Sequence, residues 1–468
     1  MRRKAWALRP VPPRLGQPGE PVSGDPPADR PDPGARRIPT GRLARLGQFG
    51  RLAGGVAGGM LAEGARRLAE GERPRMSDLL LTPENVLRMA DRLSHLRGAA
   101  MKLGQMISMD AGDVLPPELT EIMARLRQNA HRMPAAQLQQ VLSAEWGRDW
   151  RTRFAKFDAA PIAAASIGQV HRARTRDGRD LAIKVQYPGV RESIDADVDN
   201  VATLLRLSGL LPRELDVAPL LAAAKAQLRE EADYIREGEQ MALFGTLLAD
   251  APGYLVPVLD RELTTRQVLA MSYVDSLPIE TLIDGPQDTR DAVIRSLIAL
   301  VLRELFDFGV MQTDPNFGNY RYQPATGRLV LLDFGASRPV AAETSDGYLQ
   351  LLKATMGGDR DRAREAAVAA GFIGPGAVAR HRPTIDRMID LVIGKVRAPG
   401  AFDFGDRDVV AALRDQGQGV AADRGAWHIP PADILFVQRK VSGVALLAAR
   451  MKARVDVRSM LERYTVQS

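Results

Sequence analysis

The chain has 468 residues, 45% of them apolar and 26% charged, with a formal net charge of +7. That balance is ordinary for a globular protein, and the length leaves room for two to four domains or lobes at about 150 residues each. Cysteine is absent, which excludes disulfides, zinc–thiolate sites and a cysteine nucleophile, while the mild positive charge permits an anionic partner without naming one. Nucleic acid is the obvious candidate, but no recognition motif is present and aromatics are only 5%, and phosphate-rich small molecules or anionic lipid fit as well.

Residues 1–38 are rich in Pro, Arg and Asp and read as a disordered basic arm. The stretch lacks the apolar centre of a secretory signal; a transit peptide is the alternative, and the prolines count against the continuous amphipathic helix that one needs. Residues 39–75 are Gly-rich: Gly50, Gly54 and Gly58 are spaced by four, as are Gly55 and Gly59. Such spacing lets helices approach closely, above all in lipid. The apolar part, Leu52 to Ala62, is about half a membrane thickness, and no run of about 18 apolar residues occurs anywhere. Two readings stand: a surface-lying membrane- or partner-associating segment with Arg flanks, or a loose linker.

Residues 76–150 read as a helical extension. In "LSHLRGAAMKLGQMIS", Leu96, Ala100, Leu103 and Ile107 make one apolar stripe, and Lys102 lies off it. Residues 151–275 read as a small β-rich unit. Strands near 169–175 and 181–186 flank Asp177-Gly178, a strong hairpin signal. On the second strand, alternation puts Leu181, Ile183 and Val185 on one face and Ala182, Lys184 and Gln186 on the other. A helical stretch from 190 to 245 carries the acidic cluster "REEADYIREGE", and 254–275 reads as two more strands. Residues 276–468 are mostly helical. The order predicts two lobes with a cleft between them.

Asp-Phe-Gly occurs twice, at 307–309 and 333–335. The first copy closes a helix whose buried stripe is Val293, Leu297, Val301, Leu305 and Phe308, so Asp307 is expected on the surface with Gly309 as the stop. The second follows a short apolar strand, "RLVLL". A strand that delivers a carboxylate into a turn suits metal coordination at a cleft, which favours Asp333. Upstream, Asp314 and Asn319 stand five apart on a loop. Kinases use that spacing for a nucleophile-orienting Asp and a magnesium-holding Asn. Lys184, in "LAIK", is the kind of strand lysine that pairs with nucleotide phosphates, and Glu237 is its expected partner. Asp233 and Glu237, at i and i+4, are expected on one helix face, where they would repel. The glycine-rich loop of protein kinases is missing. "PIAAASIGQVH" stands in its place, where Ala163, Ala164 and Ala165, followed by Ser166, restrict the backbone's approach to phosphate.

"KLGQ" at 102–105, "AAASIGQVH" at 163–171, "AIKVQYPGV" at 182–190, "EADYIRE" at 231–237, "DPNFGN" at 314–319 and "LLDFG" at 331–335 occur in this order. Together they resemble the UbiB family of atypical kinases, the aarF-domain-containing kinases, over roughly residues 85–340. The 38–60 region is similar to the Gly-rich stretch of its ubiquinone-linked branch.

The resemblance implies an α+β, two-lobed protein-kinase-like fold with a helical N-terminal extension. It implies ATP and Mg2+ as cofactors, ATPase activity, and a supporting role in ubiquinone biosynthesis at a membrane. Lys184, Glu237 and Asp314 would be catalytic, Asn319 and Asp333 would hold metal, and Ala163, Ala164, Ala165, Ser166 and Lys184 would face the nucleotide. Lys102 and Gln105 match the family's K-x-G-Q motif, and Glu231 and Asp233 its E-x-D motif, with Lys102–Glu231 as the expected regulatory clasp. Expected partners are ATP, an anionic membrane surface with lipid or quinone intermediates, and ubiquinone-biosynthesis enzymes, with a homodimer left open. The expected location is the cytoplasmic face of an inner membrane or the mitochondrial matrix side. An ATP-gated scaffold and a small-molecule (lipid or prenylphenol) kinase are the alternative functions. Two departures stand out. Asn316 and Phe317 replace the family's usual His and Pro, and Gly168 stands where Ala is common, which is expected to loosen the alanine loop.

Overall fold

The computed structural model describes residues 133–207 and 218–465, apart from residues 315, 407, 424, 425, 427 and 429. The basic arm, the Gly50–Gly59 segment, Lys102 and Gln105 lie outside the described residues. The first described helix, α1 (Ala135–Trp146), leads into β1 (Phe154–Phe157), β2 (Ala163–Ala164), β3 (Gly168–Thr175) and β4 (Asp180–Gln186). The hairpin turns at Gly178, with φ +92°, a value that favours glycine. Helices α2 (Val190–Leu207), α3 (Ala218–Glu231) and α4 (Tyr234–Leu247) follow, then β5 (Tyr254–Leu255) and β6 (Val268–Ser272). The first sheet runs β1-β3-β4-β6, with β2 on β3, and every pairing is antiparallel.

The alternation read from β4 is what the sheet uses. Leu181, Ile183 and Val185 are buried in one core with Leu138, Leu142, Trp146, Trp150 and Phe154. Rings of Trp146, Trp150, Phe154 and Phe157 lie 4.9–6.1 Å apart, a spacing that adds to plain area burial. The opposite face of β4 turns Lys184 toward α4. A buried polar chain joins sheet to extension: the Gln169 side-chain carbonyl accepts the Met133 N–H at 2.9 Å, and its amide contacts His171 Nε2 at 2.9 Å. His171 Nδ1 lies 2.9 Å from the Asp158 carbonyl, which can only accept. The ring is therefore neutral with its proton on Nδ1, consistent with burial, which lowers its pKa.

The larger unit starts at β7 (Leu277–Pro278) and α5 (Gln287–Arg303). Most of the stripe expected here is buried, namely Val293, Leu297, Val301 and Leu305, while Phe308 is half-buried against the same core. Its end differs in detail, because residues Glu304–Phe308 form a π turn before Gly309 (φ +64°) stops it. Then come β8 (Val310–Gln312), β9 (Tyr320–Gln323), β10 (Arg328–Leu331) and β11 (Ser337–Pro339), and helices α6 (Ala342–Gly357), α7 (Arg360–Ala369), α8 (Pro375–Arg397), α9 (Asp408–Ala422), α10 (Ala432–Arg450) and α11 (Val457–Thr465). The two strands expected in 254–275 part company. β6 closes the first sheet, while β5 runs parallel to β10 in a second sheet ordered β5-β10-β9-β7. A two-residue strand carries too little pattern to reveal that partner. The largest core among the described residues joins α2–α4 to α5, β8–β10 and α10. Among the described residues no helix is long and apolar enough to cross a membrane.

Gly168 corrects an expectation. A Cβ there would fall well inside contact distance of the Val185 carbonyl oxygen and 3.0 Å from the Tyr234 hydroxyl. The glycine tightens the loop onto β4 rather than loosening it. Gly168→Ala should therefore destabilise the protein by about 1–3 kcal/mol, the usual cost of overpacking, seen as a lower midpoint in urea. An unchanged midpoint would show that the loop is slack.

Candidate active site

Strand β4, helix α4 and the turn after β10 meet at Lys184. Its ammonium, 7% exposed as a residue, donates to Glu237 Oε1 at 2.7 Å and Oε2 at 2.9 Å. It lies 3.5 Å from Asp333 Oδ2 and 5.0 Å from the Tyr234 ring centroid. Burial alone would pull the lysine's pKa down, but Asp333 and Glu237 together hold it well above the ordinary value. Burial pushes the Glu237 carboxyl up to about 7, against the pull of Lys184. Removing one partner of such a pair strands a charge and costs roughly 3–5 kcal/mol.

Glu237 is in place because α4 starts where it does. Asp233 is the N-cap: its carboxylate accepts the Arg236 N–H at 3.2 Å and its carbonyl the Glu237 N–H at 3.0 Å. Such a cap is worth about 1 kcal/mol. The expectation that Asp233 and Glu237 share a helix face is overturned, since Asp233 sits outside the helix with a cap's backbone angles (φ −109°, ψ 89°). The two carboxylates do different work. Glu231, one turn before, accepts from Ser166 Oγ at 3.3 Å and from Gln227 at 3.4 Å. The alanine turn is thereby tied to α3: Ala163 and Ala164 pair with Val170 and Gln169 on β3, and Ala165 N–H donates to the Gly168 carbonyl. The Lys102–Glu231 clasp has one partner outside the described residues.

The second Asp-Phe-Gly lies in the cleft and the first does not. Asp307 is exposed and accepts from the Tyr464 hydroxyl at 3.0 Å. Asp333 caps its own turn through the Gly335 N–H at 3.0 Å, leaving Oδ2 toward Lys184. Phe334 is buried with its ring 5.0 Å from that of Phe244 on α4. The neighbouring loop holds Asp314 and Asn319. Asn319 Nδ2 donates to Asp314 Oδ2 at 3.3 Å, which leaves Oδ1 as the side chain's acceptor. The two loops are laced together, with Leu332 N–H on the Asn319 carbonyl at 3.1 Å and Thr313 Oγ1 on the Ala336 carbonyl at 2.8 Å. Asn319 and Asp333 line one small cavity.

Sequence reasoning passed over Arg236. It donates to the Gly335 carbonyl at 2.8 Å and to the Ser337 carbonyl, while Arg338 reaches back to Glu230 at 2.7 Å. These arms hold the 333–338 loop against α3 and α4. The signal was an arginine inside "EADYIRE" one turn into the helix, but its partner is a backbone carbonyl 99 residues away.

Hard oxygens at Asp333, Asn319 and Asp314 fit Mg2+. Among the described residues no group of three or more His, Asp or Glu forms a metal cage.

The profile of the ABC1 atypical kinase-like domain matches residues 125–367. "Atypical kinase COQ8, mitochondrial" of Saccharomyces cerevisiae is 38% identical over 422 residues, 89% of this chain and 83% of that protein. "Atypical kinase COQ8B, mitochondrial" of Rattus norvegicus is 37% identical over 434 residues, 91% of this chain and 81% of that protein. Among solved structures, the Rv3197–erythromycin complex from Mycobacterium tuberculosis is similar with a TM-score of 0.58 and 27% identity, covering 80% of this chain and 93% of that one.

The Glu237 carboxyl sets a pH test with two opposite signs. Its pKa rises from an ordinary 4.5 to about 7 in the fold. Protonation below about pH 7 releases Lys184, so ATP turnover should fall on that acid side, and Glu237→Gln should erase the limb. A raised carboxyl keeps its proton when folded but not when unfolded. Its contribution to stability is therefore full below 4.5 and is lost as pH rises through 7. Turnover and this stability contribution should run in opposite directions, checked by a pH–rate profile beside melts of wild type and Glu237→Gln.

Proposed function

We propose, from the premise that the chain belongs to the ABC1 (UbiB) family of atypical kinases, that its cleft binds Mg·ATP and splits it in support of ubiquinone biosynthesis at a membrane. The observation that carries this is the Lys184 ammonium, pinned by Glu237 at 2.7 Å and 3.5 Å from Asp333. A buried cation held between two carboxylates at a cleft is ready to meet phosphate oxygens. Magnesium, when bound with ATP, would neutralise charge that develops on the transferring phosphoryl group.

The chain's own residues have these parts. Lys184 meets phosphate, and Glu237 fixes the ammonium's place. Asp333 and Asn319 offer oxygens to the metal. Asp314, 9% exposed, holds the Asn319 amide and orients or deprotonates the attacking water. The turn Ala163–Ser166 covers the cleft without the open backbone amides of a glycine-rich loop, so Lys184 carries more of the phosphate contact. Membrane attachment is assigned to the Gly50–Gly59 segment and its Arg flanks. The location follows the membrane face, mitochondrial as the names of the relatives say or bacterial.

A melt with Mg·ATP tests the site. Ligand at about 100 times its dissociation constant adds roughly 2.7 kcal/mol. Wild type and Asp307→Asn should both show the Mg-dependent shift, and Asp333→Asn should lose it together with ATP turnover. A retained shift and unchanged turnover in Asp333→Asn would falsify the assignment. Phosphate released free in solution marks an ATPase, whereas phosphate on a prenylated phenol marks a small-molecule kinase.

A further inference from the structure

The helical lobe holds a second buried ion pair that the nucleotide reading leaves unused. Lys440, midway along α10, is 1% exposed, and Glu304, the first residue of the π turn, is 0% exposed. Lys440 Nζ lies 3.2 Å from Glu304 Oε2, 3.4 Å from its Oε1 and 3.3 Å from Gln312 Oε1. Glu304 Oε1 also accepts the Gln312 backbone N–H at 3.2 Å. The ammonium sits 5.5 Å from the ring centroid of Tyr320. Burial opposes both charges, and Glu304 nevertheless holds Lys440 above the ordinary lysine value.

A buried pair of this kind is often no more stabilising than apolar side chains of the same volume. Its place in the chain matters more. Gln312 stands two residues before Asp314, and Tyr320 directly follows Asn319. The cluster therefore grips both ends of the loop that carries those two residues. Glu304, Gln312, Tyr320 and Lys440 line one small cavity together with Asn319 and Asp333, so the pair backs directly onto the metal side of the cleft. The π turn that supplies Glu304 is a rare element that often marks functional positions.

We propose that Lys440, acting through Glu304, Gln312 and Tyr320, is a positioning residue that sets loop 312–320 so that Asn319 and Asp333 present their oxygens to one cation. Helix α10, 128 residues beyond Gln312 at Lys440, thereby belongs to the frame of the site. The inference rests on the Mg·ATP reading of the cleft.

The test is a melt titration of Mg2+ at fixed ATP on the full chain. The double variant Glu304→Gln/Lys440→Met replaces the pair with neutral groups of similar length. Gln312→Met keeps the pair and removes only its side-chain arm to the loop, so it carries the test if the double variant does not fold. The shift produced by Mg-free ATP should stay at the wild-type value in both. The Mg2+ midpoint should rise about 10-fold in the double variant, as when a group that orients a metal ligand is lost, and in the same direction in Gln312→Met. A folded variant with the wild-type Mg2+ midpoint overturns the inference. A wild type with no Mg2+ response overturns the nucleotide reading instead.

Discussion

One buried ammonium organises the cleft. A lysine charge cannot be taken out of water without partners of opposite sign, and Lys184 sits on the inward face of a central strand. Glu237 must therefore come from α4 and Asp333 from the turn after β10. Each of these makes its own demand. Glu237 reaches the lysine only if α4 begins at Tyr234, which the Asp233 cap enforces. Asp333 reaches it only if its turn is held, which the Gly335 N–H, the arms of Arg236 and the packing of Phe334 on Phe244 accomplish. The strand lysine thus fixes the start of a helix and the path of a distant loop.

The same geometry shapes the chemistry that is available. With two carboxylates around it, Lys184 stays charged across the physiological range, while Glu237 is poised nearer neutrality. The Asn319 amide is turned by Asp314 so that its oxygen is the free acceptor. Above the cleft the alanine turn is tied down by Ser166 to Glu231, and Gly168 lets β3 press against β4. Ser166 and the β2–β3 pairing thus hold the alanine turn on both sides, and in the proposed nucleotide site Lys184 would carry more of the phosphate contact than the turn's backbone.

Much of this was legible in the sequence, for physical reasons. A two-residue Asp-Gly turn fixes a hairpin, and period-two alternation fixes which way Lys184 points. A helical stripe ending in Gly309 set the first Asp-Phe-Gly apart from the strand-borne second. What could not be read was set by contacts far apart in the chain. The Arg236 carbonyl clamp, the parallel pairing of β5 with β10 and the Glu304–Lys440 pair each join residues whose neighbours in sequence say nothing of one another. Asp233 was misread because helical spacing alone does not tell a capping residue from one inside the helix. Gly168 was misread because close approach of a facing strand leaves no local pattern.

If Lys184, held by Glu237 and Asp333, is the phosphate-binding charge of a nucleotide site, its loss must weaken Mg·ATP binding. Titration calorimetry of Mg·ATP against wild type and Lys184→Met tests it most directly, with circular dichroism to establish that the variant is folded. Wild type should bind saturably, and the variant's dissociation constant should be at least about 100-fold weaker, roughly 2.8 kcal/mol at 1.4 kcal/mol per tenfold. Equal affinity in a folded Lys184→Met would contradict it, and the buried ion pair would then be part of the core rather than of a site.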